Sequence, residues 1–238
     1  MLRGLVGLAL CCPGLLLAAD TETKLDAAAT EKTLAAISET FAKTPCLRAK
    51  VVSQREESLT GEKLPKENGE LILQRPDKMP VRYEGAAGNY KARQLLGTLY
   101  REYSPNTKKC DVRDFAKAAR KLALLRAAMT GDVAVLKEYF NIEVFRTSEN
   151  GKPARLRLVL TPLADAPIKA DYKSIEARLA EGQAFFDFIR YVPKAGDPGE
   201  DTYSEIKAAE GLTEKDFADA LIDKAPKQVT RVSDEEKK

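Results

Sequence analysis

The sequence predicts a mainly β fold with added helices, in which many antiparallel strands form one strongly curved sheet. Short runs of alternating apolar and polar residues recur along most of the chain and are separated by turn residues. Helical periodicity appears near the start of the chain and again in its middle. The 238 residues can bury a sizeable core, and no clear boundary for a second domain appears.

The N-terminal segment differs from everything that follows it. A basic start at Met1–Arg3 precedes an apolar stretch that ends in the small residues Ala18 and Ala19, and the chain turns polar at Asp20. This pattern is typical of a secretory signal peptide. We therefore expect a signal peptide over 1–19 and one exported domain over 20–238.

A membrane anchor and a lipoprotein signal are the alternatives for this segment. The stretch is slightly short for a membrane span, and Pro13 and Gly14 interrupt it. Cys11 follows Leu10, whereas lipoprotein signals usually carry a small residue there. A cleaved signal peptide is favoured over both.

The first helix is predicted over 24–43, because Leu34, Ile37 and Phe41 recur at helical spacing. Pro45 ends it. The next run, "CLRAKVVSQREES", alternates along a predicted strand.

Two further strands are predicted in "GELILQRPDKMPVRYEG", residues 69–85, on either side of a short turn. Leu71 and Leu73 share one face of the first, which ends at Arg75 and Pro76. A single fourth strand is predicted over "YKARQLLGTLYREY", residues 90–103.

A helical segment is predicted next, with Asp114 as its N-cap and Gly131 at its end. Asp132 can cap a second, shorter helix. The apolar stripe of the first helix contains Phe115, Ala118, Leu122, Leu125 and Met129.

Strand patterns then return until the charged C-terminal residues. They are predicted in "ARLRLVLTP", "YKSIEARLAE", "QAFFDFIRYVP" and "DTYSEIKAA". In the first of these, Leu156, Leu158 and Leu160 share one face. The concave face of a curved sheet has to be filled by side chains, covered by helices or occupied by a ligand. The residues alone favour a plain packed core.

Composition argues against several classes of function. The chain has no histidine, which removes Ser-His and Cys-His nucleophiles and the common histidine metal sites. Its formal charge of +3 gives no reason to expect a nucleic-acid partner. We expect no enzymatic activity, no cofactor and no metal. Beyond the predicted signal peptide, Cys46 and Cys110 either pair in a disulfide or remain two separate thiols; we predict that they pair.

Several motifs together resemble the LolA-like family, the periplasmic carriers of outer-membrane lipoproteins. "GELILQRPDK" is similar to the family's glycine, apolar strand and Arg-Pro motif. The opening helix "LAAISETFAK" and the strand end "LVLTP" are also similar. The remaining matches are Gly97, Tyr100, Tyr103 and Pro105, and then Pro226, Val229 and Val232.

The resemblance implies an open, strongly curved antiparallel β half-barrel, with helices as a lid over its concave apolar face. It implies a monomer that carries lipoprotein acyl chains, or a related lipid, from an inner-membrane transporter to an outer-membrane acceptor. Arg75, followed by Pro76, matches the position that latches the lid in that family. The expected cavity residues are Leu71, Leu73, Leu122, Leu125, Met129, Leu156, Leu158, Leu160, Phe186 and Phe188. A periplasmic sensor or regulatory binding module on the same fold is the alternative function.

Overall fold

The computed structural model describes residues 22–85, 90–148 and 153–233. The predicted signal peptide, residues 1–19, lies outside these ranges. Within them, no helix is both long enough and apolar enough to cross a membrane.

Thirteen strands form one sheet in the described chain. They are β1 (Glu22–Lys24), β2 (Cys46–Arg55), β3 (Glu67–Gln74), β4 (Lys78–Tyr83), β5 (Ala92–Leu96), β6 (Leu99–Ser104), β7 (Lys109–Lys117), β8 (Phe140–Thr147), β9 (Arg155–Pro162), β10 (Tyr172–Ala180), β11 (Phe188–Pro193), β12 (Gly199–Ala208) and β13 (Lys227–Ser233). Their order across the sheet is β1-β8-β9-β10-β11-β12-β2-β3-β4-β5-β6-β7-β13. Among the described strands, only β7 and β13 pair in parallel. The sheet is open, with β1 and β13 at its edges, and the predicted open, largely antiparallel architecture is confirmed.

In the described ranges, five α-helices accompany the sheet: α1 (Ala27–Lys43), α2 (Ala119–Thr130), α3 (Val133–Tyr139), α4 (Glu214–Phe217) and α5 (Ala220–Lys224). The inner face of the sheet is the one that carries Leu47 and Val51 of β2. These residues belong to one buried cluster with Leu34, Ile37 and Phe41 of α1, so the predicted apolar stripe of the first helix is confirmed. Residues of α2 and α3 join the same cluster, which places all three helices over the inner face.

The middle helix begins later than its sequence pattern predicts. Phe115 lies in β7, and its backbone N–H donates to Thr98 O at 2.9 Å, so the predicted N-cap at Asp114 is wrong. Pairing of β7 with β6 continues the strand to this point, and α2 starts only at Ala119. The predicted end of this helix is confirmed, because Gly131 adopts φ 65° at the C-cap.

The predicted single strand over residues 90–103 is instead a hairpin. β5 and β6 pair through Leu96 and Leu99, which leaves a two-residue turn at Gly97 and Thr98. Gly97 adopts φ 60°, a left-handed conformation in which glycine is favoured. The alternation of side chains therefore runs through two strands rather than one.

The outer face of β5 to β7 is covered by the segment that contains α4 and α5. Ile222 of α5 forms a buried cluster there with Cys110, Tyr103 and Val112. Cys46 and Cys110 are both free, so the predicted disulfide is wrong. They lie on β2 and β7, which are separated by four strands spaced about 4.8 Å apart, whereas a disulfide needs Cα atoms within about 7 Å.

Candidate binding cavity

A cavity of about 790 Å³ lies on the inner face, between the helices and the strands β8 to β11. This volume is in the range of protein sites that enclose small molecules. Its wall is mostly apolar. The helices contribute Leu34, Ile37, Leu124, Leu125, Val133 and Leu136, and the strands contribute Phe140, Ile142, Leu158, Leu160, Ile175, Ala177 and Ile189. The space left open on this face shows that side chains do not fill all of it.

Four of the ten residues expected in the cavity from the resemblance line it: Leu125, Leu158, Leu160 and Phe186. Leu125 comes from α2, and the two leucines come from β9. Phe186 belongs to the loop between β10 and β11. The cavity is therefore bounded by a helix, a strand and a loop that are far apart in sequence.

The other six lie elsewhere. Four of them, Leu71, Leu73, Met129 and Leu156, are packed in the buried cluster around Phe41. Leu122 packs in a smaller buried cluster with Phe115. Phe188 is on the outer face of β11, where Arg178 lies 4.6 Å from its ring, so its expected place in the cavity is wrong. The alternation along β11 explains this, because Ile189 and Tyr191 occupy the opposite face.

The polar part of the wall was not predicted from the sequence. Arg55 of β2, Arg113 of β7, Tyr172 of β10 and Tyr191 of β11 all line the cavity. Arg113 shares a strand face with Phe115, and this alternation was the available signal for it. The cavity thus combines a large apolar region with cationic and phenolic groups.

The side chain of Arg75 binds the backbone of three separate segments. Its Nε donates to Met129 O at 2.6 Å and its Nη2 to Ala184 O at 2.8 Å, while Nη1 donates to Thr44 O. Thr44 caps α1, Met129 lies near the end of α2, and Ala184 is in the loop before β11. Burial lowers the pKa of Arg75 to about 10, so the group stays cationic at neutral pH. Pro76, which follows it, is exposed.

Aromatic side chains surround this arginine. The Arg75 guanidinium lies 4.8 Å from the ring centre of Phe41. Phe41 in turn packs edge-on against Phe186 with ring centres 5.2 Å apart, and Phe185 packs in the same way against Tyr203 of β12. These contacts join α1, the loop before β11 and the sheet at one place, and each aromatic pair contributes about 1 kcal/mol beyond its burial.

Asp201 of β12 is half-buried and lies between Ile189 of β11 and Ser53 of β2 on the inner face of the sheet. Its Oδ2 accepts a hydrogen bond from the Tyr203 hydroxyl at 3.4 Å, whereas its buried Oδ1 has no hydrogen-bond partner in the described part of the chain. Ser53 lies directly opposite Asp201 on the adjacent strand. Burial raises the pKa of Asp201, and the Ser53 side chain, Arg93 and Arg55 oppose the rise.

The described residues contain no group of three or more His, Cys, Asp or Glu side chains that could hold a metal ion. What the cavity can do with the groups it has is enclose an apolar ligand and contact a polar part of it.

No protein-family model matches this sequence, and no curated protein matches it. Solved structures do resemble it. One is a LolA superfamily protein from Nitrosomonas europaea, with 12% identity, a TM-score of 0.39, and coverage of 79% of this chain and 97% of that chain. Another is an uncharacterized conserved protein from Thermus thermophilus, with 10% identity, a TM-score of 0.48, and coverage of 86% and 99%.

A third similar structure is described as an outer membrane lipoprotein-sorting protein domain from Vibrio parahaemolyticus. Its identity is 13%, its TM-score is 0.40, and the match covers 79% of this chain and 96% of that chain. At these identities the likeness concerns the fold alone, so function has to be argued from the cavity and its residues.

Proposed function

We propose that this protein is a periplasmic carrier that binds the acyl chains of lipoproteins, or of a related lipid, and moves them from the inner to the outer membrane. In this proposal residues 1–19 are a signal peptide that is removed on export, and residues 20–238 form the single carrier domain. An inner-membrane transporter supplies the cargo, and an outer-membrane acceptor receives it.

The apolar cavity of about 790 Å³ is the observation that carries the proposal. Transfer of an acyl chain from water into such a space contributes about 0.8 kcal/mol per buried CH₂ group. Part of one chain therefore gives useful affinity, and a carrier needs affinity that is moderate enough to be reversed.

The construction of the cavity also suits a carrier. Its floor belongs to strands whose hydrogen bonds are made within the sheet, and its roof belongs to α1, α2 and α3. The roof can move away from the floor without breaking strand pairing. A carrier requires two such states, one that holds cargo and one that releases it.

Arg75 is proposed to act as the latch of this roof. Its three hydrogen bonds connect the end of α1, the end of α2 and the loop that carries Phe186, which lines the cavity. One guanidinium can hold three carbonyl groups because it carries five N–H donors in a planar arrangement. Release of these bonds would free the roof at several points together.

Native mass spectrometry of protein purified from its own periplasm tests the proposal. We expect an added mass that corresponds to a bound lipid or lipoprotein, and we expect N-terminal sequencing to start at or near Asp20. A clean mass of the unliganded chain, together with no uptake of a fluorescent fatty acid, would contradict the carrier function.

A matched pair of variants tests whether the ligand binds in the cavity. Ala177 lines the cavity and Ala208 is exposed on β12, so Ala177→Phe introduces bulk into the cavity and Ala208→Phe does not. We expect Ala177→Phe to weaken fatty-acid uptake by about tenfold or more, a loss of about 1.4 kcal/mol. Equal uptake by the two folded variants would show that the ligand binds elsewhere.

A further inference from the structure

The wall of the cavity carries more cationic than acidic side chains. Arg55, Arg113 and Lys121 line it together with Asp171 and Asp197. Asp197 already accepts a hydrogen bond from the Ser58 backbone N–H at 3.0 Å. The two arginines are therefore the charged groups to examine for a ligand.

Neither arginine forms a direct ion pair in the described ranges, although the charge of Arg55 opposes the rise in the pKa of Asp201. Arg93 and Arg157, in contrast, each pair with a carboxylate. Arg55 Nε is also buried and has no hydrogen-bond partner among the described atoms. A buried donor without a partner destabilises the folded protein, so a ligand acceptor at this place would remove that destabilisation.

Tyrosine hydroxyls accompany both arginines. Tyr191 lies on the cavity wall beside Arg55, and its ring crosses Gly199 so closely that a Cβ there would come within 2.3 Å of the hydroxyl oxygen. Tyr172 lines the cavity together with Arg113. Burial and the adjacent Asp171 raise the pKa of Tyr172. Both phenols remain neutral hydrogen-bond donors at physiological pH.

We propose that the cavity takes an amphipathic ligand with an anionic carboxylate or phosphate group, and that Arg55 and Arg113 bind this group while the hydrocarbon part lies beneath the helices. Planar guanidinium groups suit both anions because each can donate two parallel hydrogen bonds. Arg113 is exposed and Arg55 is half-buried, so the anion sits where the cavity meets solvent. This inference rests on the proposed lipid-carrier function and adds the charge of the ligand to it.

The test compares a long-chain fatty acid with the fatty alcohol of the same length. Each displaces a fluorescent fatty-acid probe from the purified full chain, in the parent, in Arg55→Gln, in Arg113→Gln and in the double variant. Arg178→Gln is the control, because Arg178 lies on the outer face and contacts Glu176. We expect the parent to prefer the acid by about tenfold or more, and the double variant to lose this preference. The control keeps it.

Two additional measurements test the charge of the ligand and the kind of anion. Salt should weaken binding of the acid and leave binding of the alcohol unchanged, and this measurement needs no variant. Displacement by phosphatidylglycerol, compared with displacement by the fatty acid, distinguishes a phosphate from a carboxylate as the natural anion.

Equal affinity of the parent for acid and alcohol would overturn the anion site and leave the carrier proposal in place. A preference for the acid that survives unchanged in the folded double variant would also overturn it. If the parent binds neither ligand, both proposals fail. Far-ultraviolet circular dichroism and thermal melting of each variant confirm that a lost preference does not come from lost folding.

Discussion

At the scale of single residues, the hydrogen bonds of Arg75 end on backbone carbonyl oxygens of three segments. Each of these carbonyls lies at a helix end or in a loop, where no backbone N–H of the same element is available to donate to it. The side chain thus satisfies acceptors that would otherwise be left without a donor. Its removal should therefore affect three places in the fold.

Arg75→Leu keeps bulk in place and removes all three hydrogen bonds. We expect it to lower the free energy of unfolding by about 2–3 kcal/mol, the cost of leaving buried acceptors unpaired, and to change release of bound cargo more than its uptake. Arg75→Lys should lie between the parent and Arg75→Leu in stability and in cargo release. An ammonium group keeps the charge but cannot reach several acceptors in a plane.

The control for this prediction is Arg146→Leu, which breaks an exposed pair with Glu181. We expect it to cost less than about 1 kcal/mol. Chemical denaturation measures the stabilities, and transfer of a labelled lipoprotein to acceptor membranes measures release. If Arg75→Leu unfolds and releases like the control, Arg75 is an ordinary surface arginine.

Asp201 gives a prediction about pH. Burial raises the pKa of its carboxyl above the ordinary value of 3.8, so the folded state holds the proton more tightly than the unfolded state does. The free energy of unfolding therefore decreases as pH rises from about 3.8 to the pKa of Asp201 in the folded state. Above that pKa the loss of stability stays constant. Asp201→Asn removes the charge, so its stability relative to the parent should increase across this window.

Thermal melting at a series of pH values measures this difference. Asp111→Asn is the control, because Asp111 is exposed on β7, and we expect it to stay within about 0.5 kcal/mol of the parent. A difference between Asp201→Asn and the parent that is the same at pH 3 and pH 7 would contradict the prediction.

At the scale of elements, the sequence predicted those features that residues close together in the chain determine. Leu34, Ile37 and Phe41 mark the buried face of α1, and Gly131 and Asp132 mark the end of one helix and the start of the next. Phe115 could not be placed in this way. Its spacing from Leu122 fits a helix, but pairing of β7 with a strand formed earlier in the chain decides its conformation.

Gly131 is required both by the backbone conformation at the end of α2 and by the side chain that packs against it. Its φ of 65° costs a side-chain-bearing residue about 1–2 kcal/mol, and a Cβ there would meet Phe41 Cδ2 at 2.9 Å. Gly182 has φ 79° with open space around it, so Gly182→Ala carries the backbone cost alone. We expect Gly131→Ala to lower stability by about 1–3 kcal/mol more than Gly182→Ala does. Equal losses in denaturant titrations would show that Phe41 yields without cost.

At the scale of the whole molecule, the sheet separates two layers that the sequence does not distinguish. The cavity and α1 to α3 lie on the inner face, while α4 and α5 cover part of the outer face. Arg55 and Arg113 could not be identified in advance as neighbours, because β2 and β7 meet the same cavity only through the curvature of the sheet. Cys46 and Cys110, which lie on these two strands, do not meet because four strands lie between them.

Thiol labelling tests this layering in a protein that starts at Asp20. We expect two reactive thiols after unfolding without a reductant. In the folded protein Cys46, which is half-buried, should react first, and Cys110, which is fully buried beneath α5, should react slowly. Ile222→Ala, which opens the cover over Cys110, should accelerate only the slow reaction. A single thiol, or equal rates in the folded state, would contradict the arrangement.

The acceptors of Arg75 have one more consequence for the proposed latch. Backbone carbonyls gain and lose no protons at ordinary pH, and they carry no net charge for salt to screen. Acidification or ionic strength would therefore give such a contact no chemical trigger. Release would have to be mechanical. The protein that receives the cargo must pull α1, α2 or the loop before β11 away from the guanidinium. The free energy for unloading would then come from docking to that protein.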